Sequence, residues 1–517
     1  MSIELQEIEP GIAHPSDAAN QAFDQLQQKL IPLWKSIQNF NQDEQTIVIV
    51  PSFAVDLPLK GSELQAYEER FLFLLFLLRQ PRARVVYITS QEIHPSVVDY
   101  YLSLLPGVIA SHARRRLFLV SPLDASTTPL TKKLLARPRL LQQIRDLIPD
   151  TERAHLVPFS TTDDEKELSL RLGIPMYGAD PKFFPLGTKS GCRKIFAEEG
   201  VAHPIGEENL RSIDELISAI ARMRGRKPGL RQVIVKQNDG VIGFGNALVN
   251  LQNLPAPGSD QERVAITERI HAMQFDSPAV RYDRYISGFQ EQGGIVEERI
   301  MGEQFCSPSV QMRVTPLGNV ELLSTHDQLL GGPEGQSYLG CMFPANPDYA
   351  LLISQEAKKV GERLGREGVI GRFAIDFVVV RSEGTDWEPY AIELNLRKGG
   401  TTHPFLTLQF LTDGTYNPDT ALFTAPSGQR KFFVASDHIE SEKYRVLTSD
   451  DLFDILVRRK LHFDQSRQTG IVCHMMTALP ECGRMGFTAV ADSMQEAEAM
   501  YRQAIQILDE EASAASV

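Results

Sequence analysis

Two acidic residues placed on either side of one predicted turn constrain this chain more than any other feature. The run Arg372-Phe-Ala-Ile-Asp376-Phe-Val-Val-Val380 reads as a strand. The turn-forming stretch Ser382-Glu-Gly-Thr-Asp-Trp-Glu-Pro389 follows it, and then a second strand, Tyr390-Ala-Ile-Glu393-Leu-Asn395-Leu-Arg397. A turn centred near Gly384 and Thr385 sets Asp376 opposite Glu393. Like charges directly opposed weaken an antiparallel pair, so a cation is expected between them. Alternation along the second strand puts Glu393, Asn395 and Arg397 on one face, with Ile392, Leu394 and Leu396 packed behind. Two carboxylates and an amide oxygen suit magnesium, an ion commonly shared with substrate phosphates. A nearby arginine can clamp a phosphoryl group with two parallel hydrogen bonds. The hairpin therefore reads as half of an ATP site.

At 517 residues the chain exceeds one core, and two to four domains are expected. The formal net charge of -13 disfavours nucleic acid and anionic membrane as partners. Five scattered cysteines suit a reducing, cytoplasmic setting better than a disulfide framework. The N-terminal segment does not read as a secretory signal. The apolar run Phe71 to Leu78 is too short to span a bilayer and reads as a buried helix.

The first 185 residues alternate short apolar strands (46–50, 83–88, 116–120, 155–159) with helical patterns (95–105, 131–147), as a parallel α/β sheet requires. No dinucleotide fingerprint follows the first strand. Residues 186–300 read as α+β and could form a mobile lid. Residues 301–425 carry longer strands, including 313–323, the acidic hairpin and a helix over 351–364. Residues 426–517 read as a small appended domain.

Three further elements carry chemistry. Val233-Ile-Val-Lys236-Gln-Asn-Asp-Gly240-Val-Ile-Gly243-Phe-Gly245 reads as a strand entering a glycine-rich hairpin tip. Its backbone N–H groups could approach phosphate, with Lys236 supplying charge. An ordinary surface turn is the plain alternative. Gly294-Ile-Val-Glu297-Glu298-Arg-Ile300-Met-Gly302-Glu303 reads as a strand leading into a polar bend that could meet an adenine edge and ribose hydroxyls. Lys189 begins a helix ended by Gly200. A cation is disfavoured at that end of the dipole, and an anionic ligand would relieve the cost.

In this order the four elements resemble the ATP-grasp superfamily of carboxylate–amine ligases over about residues 186–424. Ser324-Thr-His-Asp-Gln-Leu-Leu-Gly-Gly332, Gln336-Ser-Tyr-Leu-Gly-Cys341 and Gly368-Val-Ile-Gly-Arg-Phe373 are similar to the pheganomycin-type peptide ligases within it. The resemblance implies an ATP-grasp fold with an N-terminal Rossmann-like pre-ATP-grasp domain and a C-terminal appendage. It implies ATP with Mg2+ or Mn2+ as cofactors, and Lys189 and Lys236 as phosphate-binding lysines. Glu297, Glu298 and Ile300 then form the adenine hinge, and Glu303 is the ribose carboxylate. Asp376, Glu393 and Asn395 become metal ligands, and Arg397 the arginine that stabilises an acyl phosphate. The implied activity joins a small, often nonproteinogenic, acid to the amine of an amino acid or peptide. A homodimer would be a common assembly.

Arg372, Gln328 and His403 are further substrate-site candidates. Arg372 could equally make a salt bridge, and His403, in Lys398-Gly-Gly-Thr-Thr-His403, could be a structural loop residue or an amine base. His326 and Asp327 lie where an acid pocket would be. Cys473-His474 with Cys482 makes a poor zinc set. Two rival readings use the same residues: phosphoryl transfer to a hydroxyl acceptor, and nucleotide binding without turnover.

Overall fold

The computed structural model describes residues 17–38, 44–53, 61–239, 245–275, 280–331, 335 and 337–515. Four parallel strands, β1 (Gln45–Val50), β2 (Ala83–Ile88), β3 (Leu117–Val120) and β4 (Ala154–Pro158), run in the order β3-β2-β1-β4. Strand β1 is almost wholly buried, as a parallel strand covered on both faces must be. The expected helix over 131–147 is two helices, Leu130–Leu135 and Pro138–Asp146, because Pro138 starts a new first turn. The apolar run at 71–78 is buried as expected, but within a 3-10 helix, Arg70–Arg79, rather than an α-helix.

A second sheet is antiparallel. It contains β5 (Gly206–Leu210), β6 (Gln232–Gln237), β7 (Asn246–Asn250), β8 (Gln274–Phe275) and β9 (Gly294–Glu298), ordered β5-β9-β6-β7-β8. It has its own core. Leu216, Ile220 and Met223 of the helix Ile213–Arg226 pack with Val233, Val235 and Val249. The lysine-bearing strand β6 is thus carried by a unit with separate packing.

The largest sheet holds β10 (Gln304–Cys306), β11 (Pro308–Val314), β12 (Val320–Gly331), β13 (Ser337–Phe343), β14 (Gly371–Arg381) and β15 (Glu388–Asn395). A small hairpin, β16 (Thr415–Asn417) with β17 (Leu422–Thr424), follows, and then β18 (Phe432–Glu440), β19 (Gly470–His474) and β20 (Arg484–Ala491). Strand β18 pairs directly with β13, so the residues after 426 extend this sheet rather than forming a detached layer. The strand expected over 313–323 is broken by a turn in which Gly318 has φ +81° and its N–H bonds the Thr315 carbonyl. Pro316 and Gly318 carry that signal in the sequence.

Three helices frame the site: α1 (Lys189–Glu198), α2 (Pro347–Glu367) and α3 (Thr402–Thr412). In α2, Ala350, Ile353, Ala357, Val360 and Leu364 fall at helical spacing and are buried against the large sheet. One continuous core joins residues from Ile47 to Ala512, so the N-terminal sheet, the acidic hairpin and the C-terminal strands share packing. Among the described residues no helix is long and apolar enough to cross a membrane.

Candidate active site

Strands β14 and β15 pair antiparallel, and Asp376 stands opposite Glu393. The register shifts between Asp376 and Phe377, the mark of a β-bulge, and such bulges re-aim side chains near sites. The strict alternation expected of β15 fails at this point. Ile392 lines the same cavity as Glu393, while Leu394 is fully buried behind.

The two carboxylates have different surroundings. Lys189 Nζ lies 2.5 Å from Glu393 Oε1. Burial acts to raise the Glu393 carboxyl, but Lys189, Lys236 and Arg397 outweigh it and hold it below the usual range. Asp376 accepts from neutral donors, Gln328 Nε2 (2.8 Å), Asn395 Nδ2 (3.1 Å) and the Ser309 side chain. Burial and the neighbouring Glu393 push its carboxyl up to about 6. Arg397 is seated with its guanidinium 5.9 Å from the Phe159 ring centroid.

Lys236, at the end of β6, pairs with Glu297 of β9 at 2.6 Å, and Arg193 of α1 meets the other Glu297 oxygen at 2.9 Å. All three side chains are buried. Asn238 joins the two lysines' elements. Its carbonyl accepts the N–H of Lys189 (3.2 Å), and its side-chain oxygen accepts from Ser190 N–H (3.0 Å) and Oγ (2.7 Å). Lys189, expected to be relieved by an anionic ligand, thus already has an anionic partner in Glu393.

One cavity of about 1040 Å³ brings these groups together. Lys236, Glu297, Glu298, Ile300, Gln328, Asp376, Glu393, Asn395 and Arg397 all line it. Lys189 reaches it through Glu393. Gly245 closes the hairpin by accepting Gln237 N–H at 3.0 Å and does not line the cavity, while Gly240 and Gly243 lie outside the described residues.

Three expected site residues are placed elsewhere. The Glu303 carboxylate accepts the Glu383 backbone N–H (2.8 Å) in the β14–β15 turn rather than lining the cavity. Arg372 sits nearer the start of β14, where Tyr177, Arg313 and Glu321 surround it and burial lowers its guanidinium to about 10. His403 packs against His474 and Asp437, outside the cavity wall. His326 is also buried, hydrogen-bonded to Ser324 Oγ at 2.8 Å, whereas Asp327 lines the cavity and accepts from the Tyr349 hydroxyl at 2.8 Å.

Sequence reasoning missed a wall built from distant segments: Tyr67, Arg70 and Phe159 of the N-terminal unit, Tyr338 of β13, and Asp437 and His438 of β18. The only local signal was the glycine pair after Arg397. Gly399 and Gly400 line the cavity, and a Cβ on Gly400 would come within 2.6 Å of the Tyr338 ring.

The metal expected here fits the donor set. Asp376 and Glu393 present hard oxygens, and among the described residues Asp376 has no cationic hydrogen-bond partner. Asn395 now donates its amide nitrogen to Asp376, and turning that amide over would present its oxygen.

Comparison with known proteins agrees with this geometry. The profile described as "IQCH-like, ATP-grasp" matches residues 184–276 and 266–419, and that of the "PGM1 C-terminal domain" matches 451–504. The L-propargylglycine--L-glutamate ligase of Streptantibioticus cattleyicolor is 31% identical over 447 residues, 85% of this chain and 89% of that protein. The chain belongs to the ATP-grasp family. Within that family, IQ motif-containing protein H of Danio rerio is 23% identical over 93% of this chain, which spans only 50% of that longer protein. The fold is similar to that of the Campylobacter jejuni biotin carboxylase in its β,γ-ATP complex, with a TM-score of 0.54 at 12% identity, covering 92% of this chain and 96% of that one. As an ATP-grasp protein, the chain has its acidic hairpin and both lysines within the segment that the family profile matches.

Proposed function

We propose that this protein is an ATP-dependent carboxylate–amine ligase that makes an amide or peptide bond through an acyl phosphate. The carrying observation is the meeting of Asp376, Glu393, Lys236 and Arg397 in one cavity, with Lys189 bonded to Glu393. The relationship to the L-propargylglycine--L-glutamate ligase, over 85% of this chain and 89% of that protein, supports the reaction class.

In this reading Lys189 and Lys236 bind the phosphates of ATP, and the bend 297–300 meets the base. Asp376, Glu393 and Asn395 would hold the divalent cation, Mg2+ or Mn2+. The bound ion supplies charge neutralisation between the triphosphate and the incoming carboxylate. The acid's carboxylate oxygen attacks the γ-phosphorus and ADP departs. Arg397 stabilises the acyl phosphate and the tetrahedral species that forms when the amine nitrogen attacks the acyl carbon. Inorganic phosphate leaves, and the nitrogen gives up its proton. The residues around Arg397 hold the reactants in place and keep water out, since water would hydrolyse the acyl phosphate. No protein nucleophile is needed.

The acid is a small one and the amine that of an amino acid or peptide. The four segments 1–185, 186–300, 301–425 and 426–517 serve as pre-ATP-grasp unit, lysine-bearing unit, metal- and substrate-binding unit and C-terminal extension. Five unpaired cysteines support a cytoplasmic setting.

The test is a matrix of acids and amines read by phosphate release, with mass spectrometry of the products. Phosphate release that needs both partners, with an amide of the summed mass less water, is the expected result. Phosphorylated hydroxyl compounds would instead establish the phosphotransferase. ATP binding with no turnover across the matrix would favour a regulatory role.

A further inference from the structure

Behind the Arg397 loop, three side chains from three segments converge. His403 is the second residue of α3, Asp437 lies in β18, and His474 ends β19. All three are buried. His403 Nε2 and His474 Nε2 are 3.1 Å apart, and they lie 3.3 Å and 2.9 Å from Asp437 Oδ1.

The backbone is shaped for this meeting. Strand β20 runs between β18 and β19, so His474 must cross it to reach Asp437. It crosses at Gly486, its direct partner, where an added Cβ would come within 2.2 Å of His474 Nε2. Asp437 sits in an irregularity of the β18–β20 register, between Ser436 and Ile439, which re-aims its side chain. Arg70 donates to the other oxygen, Oδ2, leaving Oδ1 to the imidazoles.

We propose that His403 Nε2, His474 Nε2 and Asp437 Oδ1 form a second metal site, for a borderline divalent transition ion of the zinc class. A triangle with these edges has a circumradius of about 1.8 Å. A point about 2.05 Å from each corner, the ordinary zinc–ligand distance, therefore lies about 1 Å out of its plane. That is the placement of three ligands of a four-coordinate ion, with one position left for water. The imidazole rings are 67° apart in plane and 4.4 Å between centroids, so each can direct Nε2 toward a common centre. A neutral imidazole has a ring-nitrogen lone pair to give to such an ion. Two nitrogens and one carboxylate favour zinc-class ions over Mg2+, which prefers oxygen. Arg70, bonded to the carboxylate, fixes the ligand's orientation as outer partners of metal ligands do.

The site differs from the cation site at Asp376 and Glu393. It ties His403, only six residues after Arg397, to the strands of the C-terminal extension. Its role is to position the loop 398–401, not to touch ATP. It also uses His474 without either neighbouring thiol, since Cys473 and Cys482 are not among the converging atoms.

The test uses the full chain, stripped with a chelator, incubated with ZnCl2 or CoCl2 and desalted. One equivalent of zinc retained by the wild type is expected, together with a rise in Tm. The Glu393→Gln and Cys482→Ser variants should retain the same equivalent. His474→Ala and His403→Ala should bind zinc at least about tenfold more weakly. The cobalt form of the wild type, which needs no variant to fold, should show visible d–d bands and no thiolate charge-transfer band. The proposal is overturned if the stripped wild type keeps no zinc and its Tm is unmoved. It is equally overturned if the cobalt spectrum carries thiolate character, or if folded His474→Ala binds zinc as the wild type does.

Discussion

Asp376 and Glu393 face each other across β14 and β15, but only Glu393 has a cation bonded to it, Lys189 at 2.5 Å. Asp376 is left with neutral donors, two amides and the Ser309 side chain, and is pushed up to about 6 by burial and by its neighbour. The pair is thus half neutralised within the chain, which is the charge state expected of a site that takes up a divalent ion.

Glu393→Gln preserves shape while removing one ligand charge and the ionic partner of Lys189. Ligation should fall by at least about 100-fold, the scale of losing a group that acts on charge in the transition state. ATP affinity should fall in the presence of Mg2+ and hardly change in its absence. Mass-spectrometric product assay and calorimetry with and without the ion check this, and wild-type turnover in the variant would remove Glu393 from the metal site.

Lys236→Ala acts on both binding and stability, because Lys236 and Glu297 are both buried. Breaking a buried pair costs about 3–5 kcal/mol. Arg193 remains on Glu297 at 2.9 Å, so the lower end applies, about 3 kcal/mol. Nucleotide binding should weaken about tenfold or more through loss of a charge-assisted contact. Denaturant titration and calorimetry report the two effects separately. Unchanged ATP affinity in the folded variant would make the lysine structural only.

Glu303→Ala separates the family resemblance from the structure. A ribose carboxylate would matter for ATP, but this side chain instead accepts a hydrogen bond from Glu383 N–H in an exposed turn. The Kd for ATP should stay within about twofold, as for exposed substitutions away from a site. A tenfold loss in calorimetry would return Glu303 to the nucleotide.

The legible parts of this molecule were those with local causes. The pairing of Asp376 with Glu393 followed from the turn residues, and the end of helix α1 from Gly200. Lys189, Lys236 and Arg397 were recognisable from order along the chain. The far wall of the cavity was not, because Arg70 and Asp437 meet across 367 positions of sequence and neither sits in a motif. His403 was visible as a histidine after a glycine loop, but its partners, His474 and Asp437, are set by strand order in the C-terminal extension. The strand over 313–323 failed for a local reason, the weight given to apolar residues over Pro316 and Gly318.

The N-terminal unit carries two neighbouring buried carboxyls that set a pH dependence away from the site. Glu68 accepts from Ser90 N–H and Oγ, both at 2.6 Å, and Glu69 from Met476 N–H at 2.8 Å. Burial nevertheless raises each to about 7 from an ordinary 4.5. A carboxyl raised on folding contributes stability that is fully present below its unfolded value and is lost as pH rises through the folded one. The buried His155 and His438, lowered from 6.5 to about 4, work the other way, losing stability as pH falls below 6.5. Between pH 6.5 and 8 the two carboxyls are opposed by Lys398, which burial lowers to about 7 and which gains stability as pH rises, so their contribution is read as a difference between variant and wild type. Glu68→Gln keeps an acceptor oxygen for Ser90 but cannot ionise, so its midpoint should rise relative to that of the wild type as pH increases across that window. Parallel slopes for variant and wild type in denaturant titrations at pH 6.5, 7 and 8 would show that Glu68 is already ionised throughout, with the Ser90 hydrogen bonds and Lys133 outweighing burial.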